Sequence, residues 1–225
     1  MNATQYWDHH FAEGPHQDLK APHPFLARML PRLQKGKVLD IAMGEGANAV
    51  YLAQKGFKVK GFDISAVGID HAQKLARATN VTIEAQRADL DFYLLGLMEY
   101  DSVIMTFFRP PNVRYYTEII RTLKQGGTLL VASHMDQEMT EPIAKEEAFR
   151  NHFFGANELL RQLTGLRILY YHEGLEDGRH VVECLAQKPL DRDAAKYNLF
   201  GMNAEGSKEQ GKSKHMELAE KFFKK

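Results

Sequence analysis

Val38-Leu39-Asp40-Ile41-Ala42-Met43-Gly44-Glu45-Gly46-Ala47-Asn48-Ala49, followed after a helical stretch by Gly61-Phe62-Asp63-Ile64-Ser65, decides how this chain folds. An apolar run ends in Asp40 and gives way to a glycine-containing turn, Gly44-Glu45-Gly46. A helix-compatible segment comes next, and then a second apolar run that ends in Asp63. Strand, tight loop, helix, strand: this is the opening half of a nucleotide-binding α/β sheet. Glycines in the loop let the backbone approach a ligand that a Cβ would hold off. Asp63 lies 23 residues beyond Asp40, where the second strand should end. An acid there accepts hydrogen bonds from both hydroxyls of a ribose. The expectation is an adenosine-containing cofactor.

The same alternation continues outward in both directions. Upstream, Phe25, Leu26, Met29, Leu30 and Leu33 keep one apolar face of a helix that starts after Pro24. Downstream of the glycine turn, Ala49, Val50, Leu52 and Ala53 mark a helix that stops at Gly56. A second strand from Lys58 to Phe62 and a helix carrying Ile69, Ala72, Leu75 and Ala76 follow. A strand from Val81 to Ala85 leads to Arg87-Ala88-Asp89-Leu90, and Tyr100 to Thr106 reads as the fourth strand. After a helix with Val113, Tyr116, Ile119, Ile120 and Leu123, the turn Gln125-Gly126-Gly127 should lead into a fifth strand from Thr128 to Ser133. The expected fold is α/β, a doubly wound Rossmann-like sheet that is mostly parallel.

The pattern changes near the C-terminus. Residues 134–157 are a long polar connection, of the kind that forms a lid or substrate wall. A helix around Glu158 to Leu163 then precedes Leu166 to Tyr171, which the turn Glu176-Asp177-Gly178 joins to His180 to Ala186 as an antiparallel hairpin. Three units result: residues 1–34 as an N-terminal lid and helix, residues 35–189 as the cofactor-binding domain, and residues 190–225 as a charged tail.

Composition narrows the function classes. Lys+Arg and Asp+Glu number 29 each. Nothing in that balance attracts a polyanion, so a nucleic-acid partner is not expected. The hydrophobic share of 44% is enough for a real core. One cysteine, Cys184, excludes an internal disulfide and fits a reducing, cytoplasmic compartment. Its place in an apolar alternation makes it a core residue. No stretch has the length and apolarity of a membrane span, and the N-terminus lacks the pattern of a signal peptide. A homodimer is left open.

Three details separate the cofactors that share such a turn. Asp40, at the end of the first strand, would repel a pyrophosphate but suits an ammonium group, which counts against a nicotinamide dinucleotide. Asp89 ends the third strand, where a carboxylate accepts from an adenine amine. The antiparallel C-terminal pair departs from ordinary dinucleotide folds.

With these residues in hand, the chain resembles the class I S-adenosylmethionine-dependent methyltransferases over residues 38–188. Val38 to Gly46 resembles the family's first motif, Gly61 to Ser65 the second and Ala88-Asp89-Leu90 the third. Leu123-Lys124-Gln125-Gly126-Gly127 resembles the turn that usually carries a proline. Gly44 to Ala49, together with Tyr51-Leu52-Ala53 and Gly56-Phe57, is most similar to the tellurite-resistance-type small-molecule methyltransferases. Tyr6-Trp7-Asp8 and Asn157 to Leu160 fit that group too. Ala42 stands where a glycine is commoner, a change of one methyl, and Ala47 where an arginine is frequent.

The resemblance implies S-adenosylmethionine as cofactor. It would be held by Asp40, Ala42, Gly44, Gly46 and Asn48 along the methionine portion and by Asp63 at the ribose. Ile64, Asp89 and Leu90 would meet the adenine, with Thr106 near the methyl and Trp7 in a lid with Tyr6 and Phe11. The acceptor should meet the end of the fourth strand. There Phe107 and Phe108 would wall a pocket, Arg109 would attract an anionic substrate, and His134 would act as base. A small-molecule acceptor is expected: a thiol, a metalloid oxyanion or a similar nucleophile; the alternatives are a methyltransferase acting on a protein or nucleic acid, or a catalytically silent cofactor-binding module. His9, His10, His16 and His23 lack the spacing of a metal site, and no metal is expected.

Overall fold

The computed structural model describes residues 2–13, 21–138 and 152–190. His16, residues 139–151 of the polar connection, and the tail from residue 191 lie outside the described residues.

Seven strands form one sheet in the order β3-β2-β1-β4-β5-β7-β6. The strands are β1 (Lys37–Ile41), β2 (Lys58–Asp63), β3 (Glu84–Arg87), β4 (Tyr100–Thr106), β5 (Leu123–His134), β6 (Arg167–Glu176) and β7 (Arg179–Gln187). The first five run parallel, whereas β7 pairs antiparallel with both β5 and β6. The strand order reverses between β1 and β4, and in such sheets ligands bind at the carboxyl ends beside that reversal.

Six helices flank the sheet among the described residues: α1 (Ala3–Glu13), α2 (Pro24–Met29), α3 (Ala47–Gln54), α4 (Ala66–Ala78), α5 (Val113–Thr122) and α6 (Glu158–Gln162). Alternation along the central strands feeds two cores. Leu39, Ile41, Val103, Met105, Leu129 and Val131 meet α5 and α6 on one face. Val38, Ile104, Leu130 and Ala132 meet α2, α3 and α4 on the other. Burial on both faces is what makes these strands read as continuous apolar runs.

Two elements differ from expectation. The third strand begins at Glu84 rather than Val81, because it is a short edge strand paired only with β2. Its own alternation is a weak guide where no second neighbour enforces register. The glycine pair lies inside β5 rather than before it: Tyr100 pairs with Leu123 but Ser102 with Thr128, so the intervening residues loop out of register. Gly126 N–H then donates to Lys188 O, and Lys188 N–H to Gly127 O, which fastens that loop to the end of β7. The C-terminal hairpin turns at Asp177 and Gly178, both with positive φ, as a two-residue hairpin of the tightest kind requires. Cys184 is fully buried in β7, and burial pushes its thiol up to about 12.

Candidate active site

The loop between β1 and α3 is shaped by left-handed backbone. Ala42, Gly44 and Gly46 have φ of 55°, 51° and 80°. For the glycines this costs little. Ala42 is a different matter. It is more than a glycine with one methyl added, because an L-residue in the left-handed region is strained by roughly 1–2 kcal/mol. A Cβ on Gly46 would lie 2.6 Å from the Ala72 Cβ, so that glycine lets α3 and α4 close together. A Cβ on Gly44 would meet the Phe11 ring at 3.2 Å, which places α1 directly over the loop.

Two aspartates lie at this loop, both buried but differently hydrogen-bonded. Asp63 is 6% exposed and accepts from Gly44 N–H and Ser65 N–H, each at 2.9 Å. Burial raises its pKa, against the pull of those backbone donors. Asp40 is wholly buried, and neither of its carboxylate oxygens finds a hydrogen-bond partner. Burial, and after it the Asp63 charge, hold its pKa well above the usual carboxylate range. A buried carboxylate without a donor is costly, so an incoming cation is what this site lacks. An ammonium group such as that of S-adenosylmethionine would fit that need, while the space beside Gly44 is taken by the Phe11 ring.

Helix α1 closes over the same loops. Its Asp8 accepts from Ser65 Oγ at 2.6 Å and from Val67 N–H at 3.3 Å, while Ser65 Oγ caps α4 by accepting from Gly68 N–H. Across the cleft the Trp7 ring meets His152 edge-on, 5.1 Å between centroids. Trp7 and Phe11 therefore span the distance from the glycine loop to the β5 side, as a lid would.

At the carboxyl end of β4, Asn48 joins three elements. Its Nδ2 donates to Thr106 Oγ1 at 2.9 Å and its Oδ1 accepts from His23 N–H at 2.8 Å. Phe107 follows with a φ of 54° and is 46% exposed, whereas Phe108 packs against the core. The Arg109 guanidinium is paired through Nε, which donates to Glu158 Oε1 at 2.6 Å, and Glu158 also accepts from Gly155 N–H. His134 is half-buried with Nδ1 lacking a partner, and burial followed by the nearby Arg179 charge lowers its pKa.

Beyond β2 and β3, Leu90 is buried in the core and Ile64 is half-buried. Asp89 Oδ1 accepts from Asp91 N–H at 2.9 Å, bending the chain after β3. The sequence reading gave Asp8 no role beyond its place in Tyr6-Trp7-Asp8, and it missed His152, which sits in a polar connection where no residue stands out. Among the described residues no group of histidines, cysteines and acids is placed to hold a metal.

Comparisons with known proteins agree with this geometry. Residues 38–127 match the family model for a methyltransferase domain. The chain is 37% identical over 92 residues to the tRNA (uracil(54)-C(5))-methyltransferase of Pyrococcus furiosus, a match covering 40% of this chain and 21% of that protein. The chain spans less than half the length of the curated relatives it matches. Among solved structures, TehB of Haemophilus influenzae aligns with a TM-score of 0.63 at 20% identity, over 81% of this chain and 67% of that one. A protein studied for the conversion of a disulfide bond into a thioacetal group during echinomycin biosynthesis aligns with a TM-score of 0.66 at 23% identity, over 87% and 96%. These structures share the fold. Residues 38–127 thus match a methyltransferase-domain model, and the chain shares its seven-stranded fold with these solved structures.

Proposed function

We propose that the chain transfers a methyl group from S-adenosylmethionine to a small-molecule acceptor. The observation that carries the reading is the pair of aspartates at the glycine loop. Asp63, already polarised by two backbone donors, suits a ribose, and Asp40, buried without a donor, suits an ammonium. Bound there, the cofactor supplies a methyl group activated by its sulfonium. Gly44 would admit the methionine portion, Asp63 would hold the ribose hydroxyls, and Ile64 and Asp89 would border the adenine. Asn48 holds Thr106 and the start of α2 in register at the end of β4. Trp7 and Phe11 would exclude water once the lid is shut. His134 Nδ1, unpartnered on a neutral ring, is suited to take the proton of a protic acceptor.

A small acceptor is favoured over a nucleic acid by the charge balance, with 29 basic and 29 acidic residues. The name of the Pyrococcus relative places its acceptor on a tRNA uracil. The reading is tested by incubating purified protein with S-adenosylmethionine and, separately, thiols, phenols, selenite, tellurite and unmodified tRNA, and measuring S-adenosylhomocysteine release. Turnover with a small molecule and none with tRNA supports it; turnover with tRNA alone overturns it.

A further inference from the structure

We infer that the exposed apolar ridge between β3 and β4, formed by Phe92, Leu94, Leu97 and Met98, is the docking surface for a segment of this chain's own C-terminal tail, Tyr197 to Asn203. The inference lies outside the cofactor site and does not depend on the acceptor.

The ridge belongs to a stretch that is apolar on two sides. From Phe92 to Leu95 the side chains alternate: Tyr93 and Leu95 pack against the core, while Phe92 and Leu94 are 87% and 90% exposed. Leu97 and Met98 continue the exposed side at 63% and 58%. The Tyr93 ring lies 4.8 Å from the Phe62 ring of β2, which fixes the inner side and turns the outer one to solvent. No charge interrupts residues 92–98. Asp91 and Glu99 bound the stretch, and Glu99 is paired with Lys37. A run that is apolar on both sides is the pattern of a segment covered on both. Four large apolar side chains standing uncovered together mark a contact surface.

The chain carries an occupant within reach. The ridge ends at the C-terminus of α5, where Met98 N–H donates to Arg121 O and Glu99 N–H to Thr122 O. The chain leaving β7 is tied to the same place, because the Lys188 ammonium donates to Ile120 O and Leu123 O. Four successive carbonyls, about one helical turn, thus hold both the end of the ridge and the start of the tail. Leu190 follows, 41% exposed, and the chain runs on to Lys225, 35 residues further. Asp191 and Asp193 balance Arg192 and Lys196 in the six residues that come next, a length that reaches roughly 20 Å when extended. Then comes Tyr197-Asn198-Leu199-Phe200-Gly201-Met202-Asn203, without a charge and with four large apolar side chains. The more distant apolar stretch, Met216 to Phe223, is broken by Glu217, Glu220 and Lys221. A short tether holds the nearer segment beside the ridge at millimolar effective concentration, so a weak apolar contact is enough to keep it bound. A second copy of the chain has no such advantage.

Hydrogen–deuterium exchange of the full chain, read by mass spectrometry on peptides covering residues 91–98 and 197–203, tests the docking. Wild type is compared with Leu94→Asp, Leu199→Asp/Phe200→Asp and Phe222→Asp/Phe223→Asp, each at two protein concentrations. Leu94 is 90% exposed and the other substitutions lie in the tail, so none of them alters the core. Docking predicts that residues 91–98 exchange roughly tenfold faster in Leu199→Asp/Phe200→Asp than in wild type. Residues 197–203 should respond in the same way to Leu94→Asp. Phe222→Asp/Phe223→Asp and dilution should change neither peptide. Unchanged exchange in either of the first two variants would overturn the docking. Protection of residues 91–98 that is lost on dilution would also overturn it, by assigning the ridge to a second copy. Protection lost in Phe222→Asp/Phe223→Asp would assign the ridge to the distal stretch instead. The methyltransferase reading stands in each of these events.

Discussion

Asp40 and Asp63 end adjacent strands and lie close enough for the charge on one to raise the pKa of the other, yet only Asp63 has its charge met by backbone donors. The unpaired member is the one placed under the glycine loop. Without cofactor, this arrangement destabilises the fold once Asp40 ionises.

Stability without cofactor should therefore fall as pH rises from about 4, the unfolded value for aspartate, toward the raised folded pKa of Asp40. In that window the folded state binds more protons than the unfolded one, so each pH unit removes on the order of 1 kcal/mol. Asp40→Asn removes the titration, and its Tm against pH should be flatter than wild type across this range. Equal slopes in the two proteins would contradict the assignment.

His23 has the opposite sign. Its folded pKa of about 4 lies below the ordinary histidine value of 6.5, so the unfolded chain takes up the proton first. Stability is then lost as pH falls from 6.5 toward 4. His23→Asn, which keeps a side chain able to cap α2, should gain on wild type between pH 7 and pH 5 in thermal melts.

Ala42→Gly and Gly46→Ala probe the loop from two sides. The first relieves a residue held at a φ of 55° and should stabilise by about 1 kcal/mol, a Tm rise of about 2–4 °C. The second puts a methyl 2.6 Å from the Ala72 Cβ in a left-handed residue. It should destabilise by roughly 2 kcal/mol or more through overpacking.

Trp7, the chain's one tryptophan, reports on the lid. Asp8→Asn weakens the charged hydrogen bonds from Ser65 and Val67 that pin α1. Release of S-adenosylhomocysteine, followed by Trp7 fluorescence in a stopped-flow instrument, should quicken severalfold, since a charge-assisted bond contributes about 1.5–3 kcal/mol.

The parallel half of the fold was legible because each of its central strands is buried on both faces and each helix has one apolar face. Val38 to Ile41 and Tyr100 to Thr106 announce themselves in this way. Glu84 to Arg87 did not, as an exposed edge strand has no core to pattern it. The sequence pointed to Asp40, Gly44 and Asp63 through strand ends and a glycine turn, and the structure brings the three together at one loop. The pairing of Arg109 was not readable because its partner, Glu158, is 49 residues away. Asp8 and His152 escaped for the same reason: each acts through contacts with distant segments, Ser65 and Phe107, that no local spacing records.

The most direct test of the central claim is calorimetric titration of the purified protein with S-adenosylhomocysteine and with NAD, alongside Asp63→Ala. Micromolar binding of the adenosyl ligand, lost in the variant and absent for NAD, is the predicted result. Binding of NAD instead, or adenosyl binding untouched by Asp63→Ala, would contradict the site described for this chain.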